Sequence, residues 1–589
     1  MEWNYSEELN VQILVSLLKA HNIRRVIVSP GSTNVCLVAS LQSDPYFEIY
    51  SCVDERSAAY MACGIAEETG EPVVLSCTGA TASRNYMPAL TEAYYRRLPL
   101  VAITSSQINE RIGHLIPQVT DRRVLPNDVA LLSVQVPVVK MNDEIWNCSI
   151  QVNKALTECR RRGGGPVHIN LQTRYSRNFN VKELPKVNVI ERIGYRDKFP
   201  SLPQGKVVIF IGSHRNFTQE ETEAVDRFCS FNDAVVFYEI SSGYNGHYGI
   251  KYDLIAAQQY SNSPLKQMDL LIQIGELAGA DFFSSLNPKE VWRVNNDGEI
   301  KDTFKKLRYV FEMDEVSFFE HYYNKDDAAT MKRSQFDIYT KASNDLMKKL
   351  EDSNLPFSNI WIAVKSVGIL PKNSEIHVGI MNSFRAWNLV KLPDGVRSYC
   401  NVGGYGIDGC MSSMIGASLV HSDRLYFGVF GDLAFFYDMN ILGNHHIKNN
   451  VRIMLVNNGK GNEFHNYIQV WAQFGDYADE FGAAGGHFGC KSSKLVKHYA
   501  EDLGFEYMTA SDKESFQSVL PRFVIPEMTD KPMLFEVFTN GEDESEAYKI
   551  MRRLVVDIKE EIKGKAIDSV RKAIGDTTAR KIADMMNIR

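Results

Sequence analysis

The 589-residue chain has no paired cysteines: its ten are scattered singly, without a C-x-x-C or any close cluster. This argues against zinc and against a disulfide framework, and leaves reduced core thiols in a cytoplasmic protein as the expectation. Long apolar runs are missing too. The richest stretch, Leu425 to Leu442, is interrupted by Asp432, Asp438 and Asn440 and cannot span a bilayer. The start, Met1-Glu2-Trp3-Asn4, has neither the basic nor the apolar segment of a secretory signal. Basic residues are not in excess. With 65 Lys and Arg against 72 Asp and Glu the net charge is −7, so no global field invites nucleic acid or an anionic membrane. There is no low-complexity tract and no short repeat.

What remains is an ordinary globular mixture, 44% hydrophobic and 23% charged, too long for one core. Short apolar runs alternate with amphipathic stretches, the pattern of βαβ units and parallel sheets. Runs at Val26–Ser29, Val73–Ser76, Leu100–Ile103 and Val167–Asn170 read as strands of a first unit. Val207–Gly212, Ala234–Phe237 and Asp269–Gly275 belong to a second, and Ile376–Gly379, Leu425–Phe430, Val451–Val456 and Leu534–Val537 to a third. Pro185 to Pro203, rich in charge and proline, reads as a linker, and Glu351 to Asn359 as the next boundary. The expected fold class is α/β, with three consecutive doubly wound, mainly parallel-sheet domains over 1–185, 186–355 and 356–545. A helical extension, 546–589, follows. In it Lys and Arg interleave with Ile550, Leu554, Ile558 and Ile562, and Gly575-Asp576 reads as a helix stop and a new N-cap, predicting two helices.

The strongest local signal begins at Leu425. One strand ends in Gly431-Asp432 and the next, Val451 to Val456, in Asn457-Asn458-Gly459, so both polar termini fall where open α/β sheets bind ligands. Asp432 and Asn458 offer hard oxygens suited to Mg²⁺ (or Mn²⁺), an ion held by few protein ligands plus a ligand's phosphates. The peptide nitrogens of Leu433 and Ala434 open a helix and can face phosphate oxygens. A capping aspartate and an Asn-Gly turn account for the same residues without a ligand. A competing motif, Gly404-x-Gly406-x-x-Gly409, nearly matches the dinucleotide fingerprint, with Asp432 as the ribose-binding acid. That makes an NAD-dependent oxidoreductase the alternative of another class, although it leaves Asn457-Asn458 and the amino-terminal unit unexplained.

The amino-terminal unit adds Ser29-Pro30-Gly31-Ser32, Asp54-Glu55-Arg56-Ser57 and the small-residue loop Cys77-Thr78-Gly79-Ala80-Thr81-Ala82. Together these resemble the pyrimidine-binding domain of thiamine-diphosphate enzymes, and Gly431-Asp432 through Asn457-Asn458 resembles their diphosphate-binding motif, one residue short of its usual spacing. With Pro88 to Ala93 and Gly406-Ile407-Asp408-Gly409, the nearest resemblance is to the 2-succinyl-5-enolpyruvyl-6-hydroxy-3-cyclohexene-1-carboxylate synthase family, over about residues 1 to 550. The resemblance implies pyrimidine-binding, central and diphosphate-binding domains in that order, in a homodimer or dimer of dimers. It implies that Glu55 bonds the cofactor's N1′ as part of proton transfer. Ile407 would wedge the bent cofactor, Gln118 would lie near the reacting carbon, and the Lys460 carbonyl would be the third metal ligand. Ser32, Gly79, Asn382, Ser383, Gly406, Gly431, Leu433 and Ala434 complete the implied cofactor-binding set.

The departures bear on the substrate. Where the synthase pattern has arginines, this chain has Thr33, Gln107 and Val402. Losing bidentate carboxylate forks cannot be neutral, so the acceptor is expected not to be isochorismate. Arg84, His114, Glu463 and His465 are the candidate substrate-facing residues, with Arg385 and Trp387 weighed beside them. The expected activity is decarboxylation of a 2-oxo acid, with the resulting enamine added to a second carbonyl or alkene. Plain decarboxylation is the alternative, and a catalytically silent scaffold is disfavoured by retention of Glu55, Asp432 and Asn458.

Overall fold

The computed structural model describes residues 3–323, 333–486, 492–575 and 578–579. The chain divides into two compact units. One holds the amino-terminal residues to Lys198, the return segment Asp297–Glu312 and the stretch from Ser569; the other holds Phe199–Asn296 and Met313–Asp568.

The first unit opens with β1 (Arg25–Val28), β2 (Glu48–Ser51), β3 (Val73–Thr78), β4 (Leu100–Ser106), β5 (Leu132–Val136) and β6 (Val167–Gln172). They form a parallel sheet in the order β2-β1-β3-β4-β6-β5. Successive side chains on a strand point to opposite faces, and the packing follows that period. Val26, Val74, Val101 and Ile103 enter one core, Ile27, Val73, Leu75, Leu100 and Ala102 the other. Both faces are covered, so these strands read as continuous apolar runs. The order reverses between β1 and β3, which puts the ligand crevice at their carboxyl ends.

The same unit contains β7 (Glu191–Ile193), inside the stretch expected to be a linker. In the second unit follow β8 (Val207–Ile211), β9 (Val235–Tyr238), β10 (Gly249–Ile250), β11 (Gln267–Ile274) and β12 (Asn287–Val294), parallel in the order β10-β9-β8-β11-β12. The chain then returns to the first unit as β13 (Leu307–Phe311), which pairs in parallel with β7. Pro185 to Pro203, expected to be a linker, thus holds a strand as well as the division between the units at Lys198 and Phe199. Lys186 and Arg196 to Lys198 are exposed, but Arg192 reaches Glu158 at 3.3 Å, and Arg161, only 7% exposed at its side chain, holds Glu312 at 2.9 Å. A neutralised ion cluster lets a charged sequence occupy a covered sheet edge.

The third sheet lies wholly in the second unit. It comprises β14 (Glu375–Val378), β15 (Arg397–Tyr399), β16 (Tyr426–Gly431), β17 (Val451–Asn457), β18 (Glu506–Ala510) and β19 (Met533–Phe538), parallel in the order β15-β14-β16-β17-β19-β18. Its reversal falls between β14 and β16, whose carboxyl ends run into the helices Asn382–Asn388 and Asp432–Asp438. Every residue of β17 is buried. Helices Gly541–Arg552 and Ile558–Ile574 form the carboxyl-terminal stretch, and the expected N-cap at Asp576 lies outside the described residues. Among the described residues no helix is long and apolar enough to cross a membrane.

Candidate active site

In the first unit the loop after β1 is held shut by short contacts. A Cβ on Gly31 would lie 2.7 Å from that of Thr78, so only glycine fits there. Thr33, 2% exposed, donates its hydroxyl proton to the Ser105 carbonyl at 2.6 Å, so the bond to the Thr78 hydroxyl runs from Thr78 to Thr33. Ser32 beside it is exposed. Glu55 is the first residue of the helix Glu55–Thr69, whose N-cap Asp54 accepts the Ser57 amide at 3.0 Å. That cap fixes the helix start and with it the position of Glu55, which is half-buried.

Gly79 follows β3 and is buried against Arg122, whose Nη1 an added Cβ would strike. Gln118 is exposed and left-handed at φ 64°, in a segment where Gly113 and Leu115 are left-handed too. His114 in the same segment is exposed. Arg84 is also exposed, and its Nη2 donates to the Asp121 carbonyl at 2.8 Å.

Beneath them lies His168, bonded to Thr104 Oγ1 at 2.7 Å and Ser133 Oγ at 2.8 Å. Burial first, then the charges of Arg122 and Arg84, push its imidazole down from 6.5 to about 3. The unfolded chain binds this proton below about pH 6.5 and the folded chain only near 3, so stability falls as pH drops through that window. The slope from this one group approaches about 1.4 kcal/mol per pH unit. Scanning calorimetry from pH 7 to 4 should show His168→Gln losing stability less steeply than the wild type. Identical slopes would remove His168 from the account.

In the second unit Gly431 and Val456 are register partners, so β16 and β17 deliver Asp432 and Asn458 side by side. Asp432 is 4% exposed. Its Oδ1 accepts the Leu433 amide at 2.7 Å, while Oδ2 is buried with no hydrogen-bond partner among the described residues. Burial pushes this carboxyl up to about 6, against the pull of the amides of Leu433 and of Asn458 to Lys460. The Leu433 N–H is thus committed to Asp432, which leaves Ala434 of the two amides expected to face phosphate.

The two asparagines divide their work. Asn457 donates to Glu536 Oε1 at 2.7 Å and accepts the Gly459 amide at 3.1 Å, a wholly structural set. Asn458 is half-buried, and among the described residues its Oδ1 has only a long 3.4 Å bond from the Lys460 amide. Gly459, left-handed at φ 80°, turns the chain so that this pair of turns can close. Beyond it Asn462 is 3% exposed with both carboxamide atoms unpartnered among the described residues. The sequence reading missed Asn462; a third asparagine just after Asn457-Asn458 was the available signal.

A carboxylate oxygen and a carboxamide left open at adjacent strand ends fit a hard cation with a diphosphate. Among the described residues no cluster of three His, Cys, Asp or Glu side chains could hold a metal by itself. The expected substrate-facing pair here is engaged by neighbours. Glu463 forms an ion pair with Arg385 and accepts Gln469 Nε2 at 2.6 Å; His465 pairs with Asp479, which also holds Lys460 Nζ at 2.9 Å. Arg385 also meets Asp281 at 3.5 Å, and Trp387 is 1% exposed. Asn382 Oδ1 accepts Asn466 Nδ2 at 3.1 Å, and Ser383 Oγ lies 3.4 Å from Asn359 Oδ1. Gly406 and Ile407 are half-buried in the loop after β15. That strand is the sheet edge, next to β14 and not to β16. A dinucleotide fingerprint needs its acid on the neighbouring strand, so Gly404 to Gly409 and Asp432 do not form one.

Residues 10–125 match the thiamine pyrophosphate enzyme N-terminal TPP binding domain. With the parallel sheets and their strand-end polar pairs, this defines the class as a thiamine-diphosphate-dependent enzyme. The 2-succinyl-5-enolpyruvyl-6-hydroxy-3-cyclohexene-1-carboxylate synthase of Bacteroides fragilis is 31% identical over 566 residues, covering 92% of this chain and 98% of its own. The synthase of the same name from Phocaeicola vulgatus is 30% identical over 574 residues, covering 92% and 97%. A solved thiamine diphosphate-dependent 4-hydroxybenzoylformate decarboxylase from Rhodococcus jostii RHA1 aligns with 90% of this chain and 99% of its own at 16% identity. Its TM-score is 0.38. The chain belongs to the 2-succinyl-5-enolpyruvyl-6-hydroxy-3-cyclohexene-1-carboxylate synthase family of thiamine-diphosphate-dependent enzymes.

Proposed function

We propose that this chain is a Mg²⁺-dependent decarboxylase and carboligase of 2-oxo acids whose acceptor is not isochorismate. The observation that carries the reading is the open Asp432 Oδ2 beside Asn458, at the reversal of the third sheet. Thiamine diphosphate, when bound, supplies a carbon nucleophile for the 2-oxo carbonyl and an electron sink for the loss of CO₂. Asp432, Asn458 and the Lys460 carbonyl would hold the metal, with Mn²⁺ as a substitute. Glu55 would hold the proton at the aminopyrimidine N1′, and a half-buried carboxylate suits that task.

The acceptor side supports a departure from the activity for which the relatives are named. Thr33 is buried and tied to Thr78 and Ser105, and Val402 is 2% exposed. Gln107 is engaged by Arg111. None of the three can present a guanidinium fork to a carboxylate. Turnover of isochorismate with 2-oxoglutarate should therefore be negligible beside ordinary enzyme rates of about 1–10³ s⁻¹. The reading as a whole is tested by CO₂ release from a panel of 2-oxo acids in the presence of the cofactor and Mg²⁺. Release from none of them would defeat it, and rapid use of isochorismate would defeat its acceptor clause.

The reading includes a cytoplasmic homodimer or dimer of dimers. The described cysteines are unpaired, as in a reducing compartment. Large apolar side chains stand exposed on both units, among them Val53 (76%) and Leu115 (100%) on the first and Tyr477 (89%) and Phe481 (82%) on the second. Such surface supports a partner.

A further inference from the structure

The first unit carries a buried charge that neither the fold nor the proposed chemistry uses. Arg122 is 2% exposed. Its Nη2 donates to Asn170 Oδ1, but Nε and Nη1 have no hydrogen-bond partner among the described residues. Of the groups that act on it, the Cys77 thiol is pushed up to about 12 by burial and carries no charge near neutral pH, Arg84 is another cation, and His168 alongside is held neutral. No ion pair among the described residues uses the Arg122 guanidinium. A buried guanidinium without a counter-ion is costly, and native proteins keep such groups where a partner arrives.

Its position says where that partner comes from. Nη1 lies against Gly79, at the carboxyl end of β3, and the same glycine faces the Ser105 carbonyl at the end of β4. Ser105 Oγ is buried and unpartnered among the described residues as well. Behind the guanidinium, the hollow bounded by Arg84, Tyr86, Thr104, Arg122 and His168 has a volume of about 10 Å³, room for no more than a water. The side left for a ligand is that of Gly79, where Gly31 and Ser32 of the loop after β1 and Thr81 after β3 are exposed.

We propose that Arg122 is a substrate-binding residue that receives a carboxylate at the carboxyl ends of β3 and β4. The planar fork of a guanidinium matches a carboxylate with two parallel N–H donors. This rests on the proposed 2-oxo acid chemistry for the identity of the molecule but not for the presence of the anion site. The carboxylate belongs either to the distal end of the donor or to the acceptor, and the two are separable by experiment.

The first test needs no cofactor. Calorimetric titration of the cofactor-free protein with succinate should show binding to the wild type and to Arg123→Gln, whose residue is an exposed neighbour paired with Asp121. Arg122→Gln should bind at least about 10²-fold more weakly, and Arg122→Lys should recover part of the loss. Without ligand, Arg122→Gln should unfold at an equal or higher temperature than the wild type, whereas a merely structural arginine would lower it. Equal succinate affinity in Arg122→Gln and wild type, or no succinate binding by wild type, would overturn the proposal. The second test names the source. A rise in KM for 2-oxoglutarate but not its 5-methyl ester assigns the donor; a rise for crotonate but not methyl crotonate, with CO₂ release unchanged, assigns the acceptor. Equal effects on acid and ester in both pairs would also overturn it. Failure of the wild type to release CO₂ from any 2-oxo acid, with succinate binding intact, would instead defeat the proposed function.

Discussion

Glu55→Gln should lower turnover by about 10²–10⁴-fold while changing thiamine diphosphate affinity little, because the amide keeps the side chain's size but cannot hold the N1′ proton as a carboxylate does. The helix should survive the change, since its start is fixed by Asp54 and the Ser57 amide and not by Glu55. Glu55 belongs to the first unit and Asp432 with Asn458 to the second. The proposed homodimer draws Glu55 of one site from one chain and the metal ligands from the other. Two inactive variants then become informative together. If Glu55→Gln and Asp432→Ala chains are unfolded, mixed equally and refolded, half the dimers are mixed. Each mixed dimer has one doubly damaged site and one intact site, so about a quarter of all sites should regain activity. Mixed dimers proven by mass spectrometry but inactive would reject the shared site.

Asp432→Ala alone should lose thiamine diphosphate binding by at least about 10²-fold and be inactive, since removing even an outer-shell partner of a metal site typically costs 10–100-fold. Its effect on the fold should run the other way. The Asp432 carboxyl is pushed up to about 6 by burial, so near pH 7 its ionised form opposes folding in the absence of a cation. The cofactor-free variant should therefore unfold at the same temperature as the wild type or slightly above it, as followed by circular dichroism. A variant that loses several degrees would mean that Asp432 is mainly a helix cap, and the loss of binding would then be a loss of structure.

The central strands were legible because both their faces are covered: β3, β4, β8, β11, β16, β17 and β19 are nearly unbroken apolar runs. Strands with mixed sequences were not. β18, Glu-Tyr-Met-Thr-Ala, is a mostly half-buried sheet edge, and β12 begins Asn-Pro-Lys-Glu before its buried half. The return of Asp297–Glu312 to the first unit was also out of reach. It depends on pairings across more than a hundred residues, such as Trp146 Nε1 to Asp302 at 3.0 Å and Arg161 to Glu312. Within the site, Asp432 and Asn458 could be read from where two apolar runs stop. The separation of Asn457 as structural could not, because it rests on Glu536 from a distant strand. Asp121-Arg122-Arg123 is three charges in a row, of which the fold exposes Asp121 and Arg123 and buries Arg122.

The most direct measurement is a calorimetric titration of thiamine diphosphate into the wild-type protein, with Mg²⁺ present and again after exhaustive EDTA treatment. Saturable binding with Mg²⁺, lost with EDTA and restored by Mg²⁺ or Mn²⁺, is the predicted result. No binding under either condition, or an affinity that EDTA leaves unchanged, would contradict the assignment of Asp432 and Asn458 to a metal-held diphosphate.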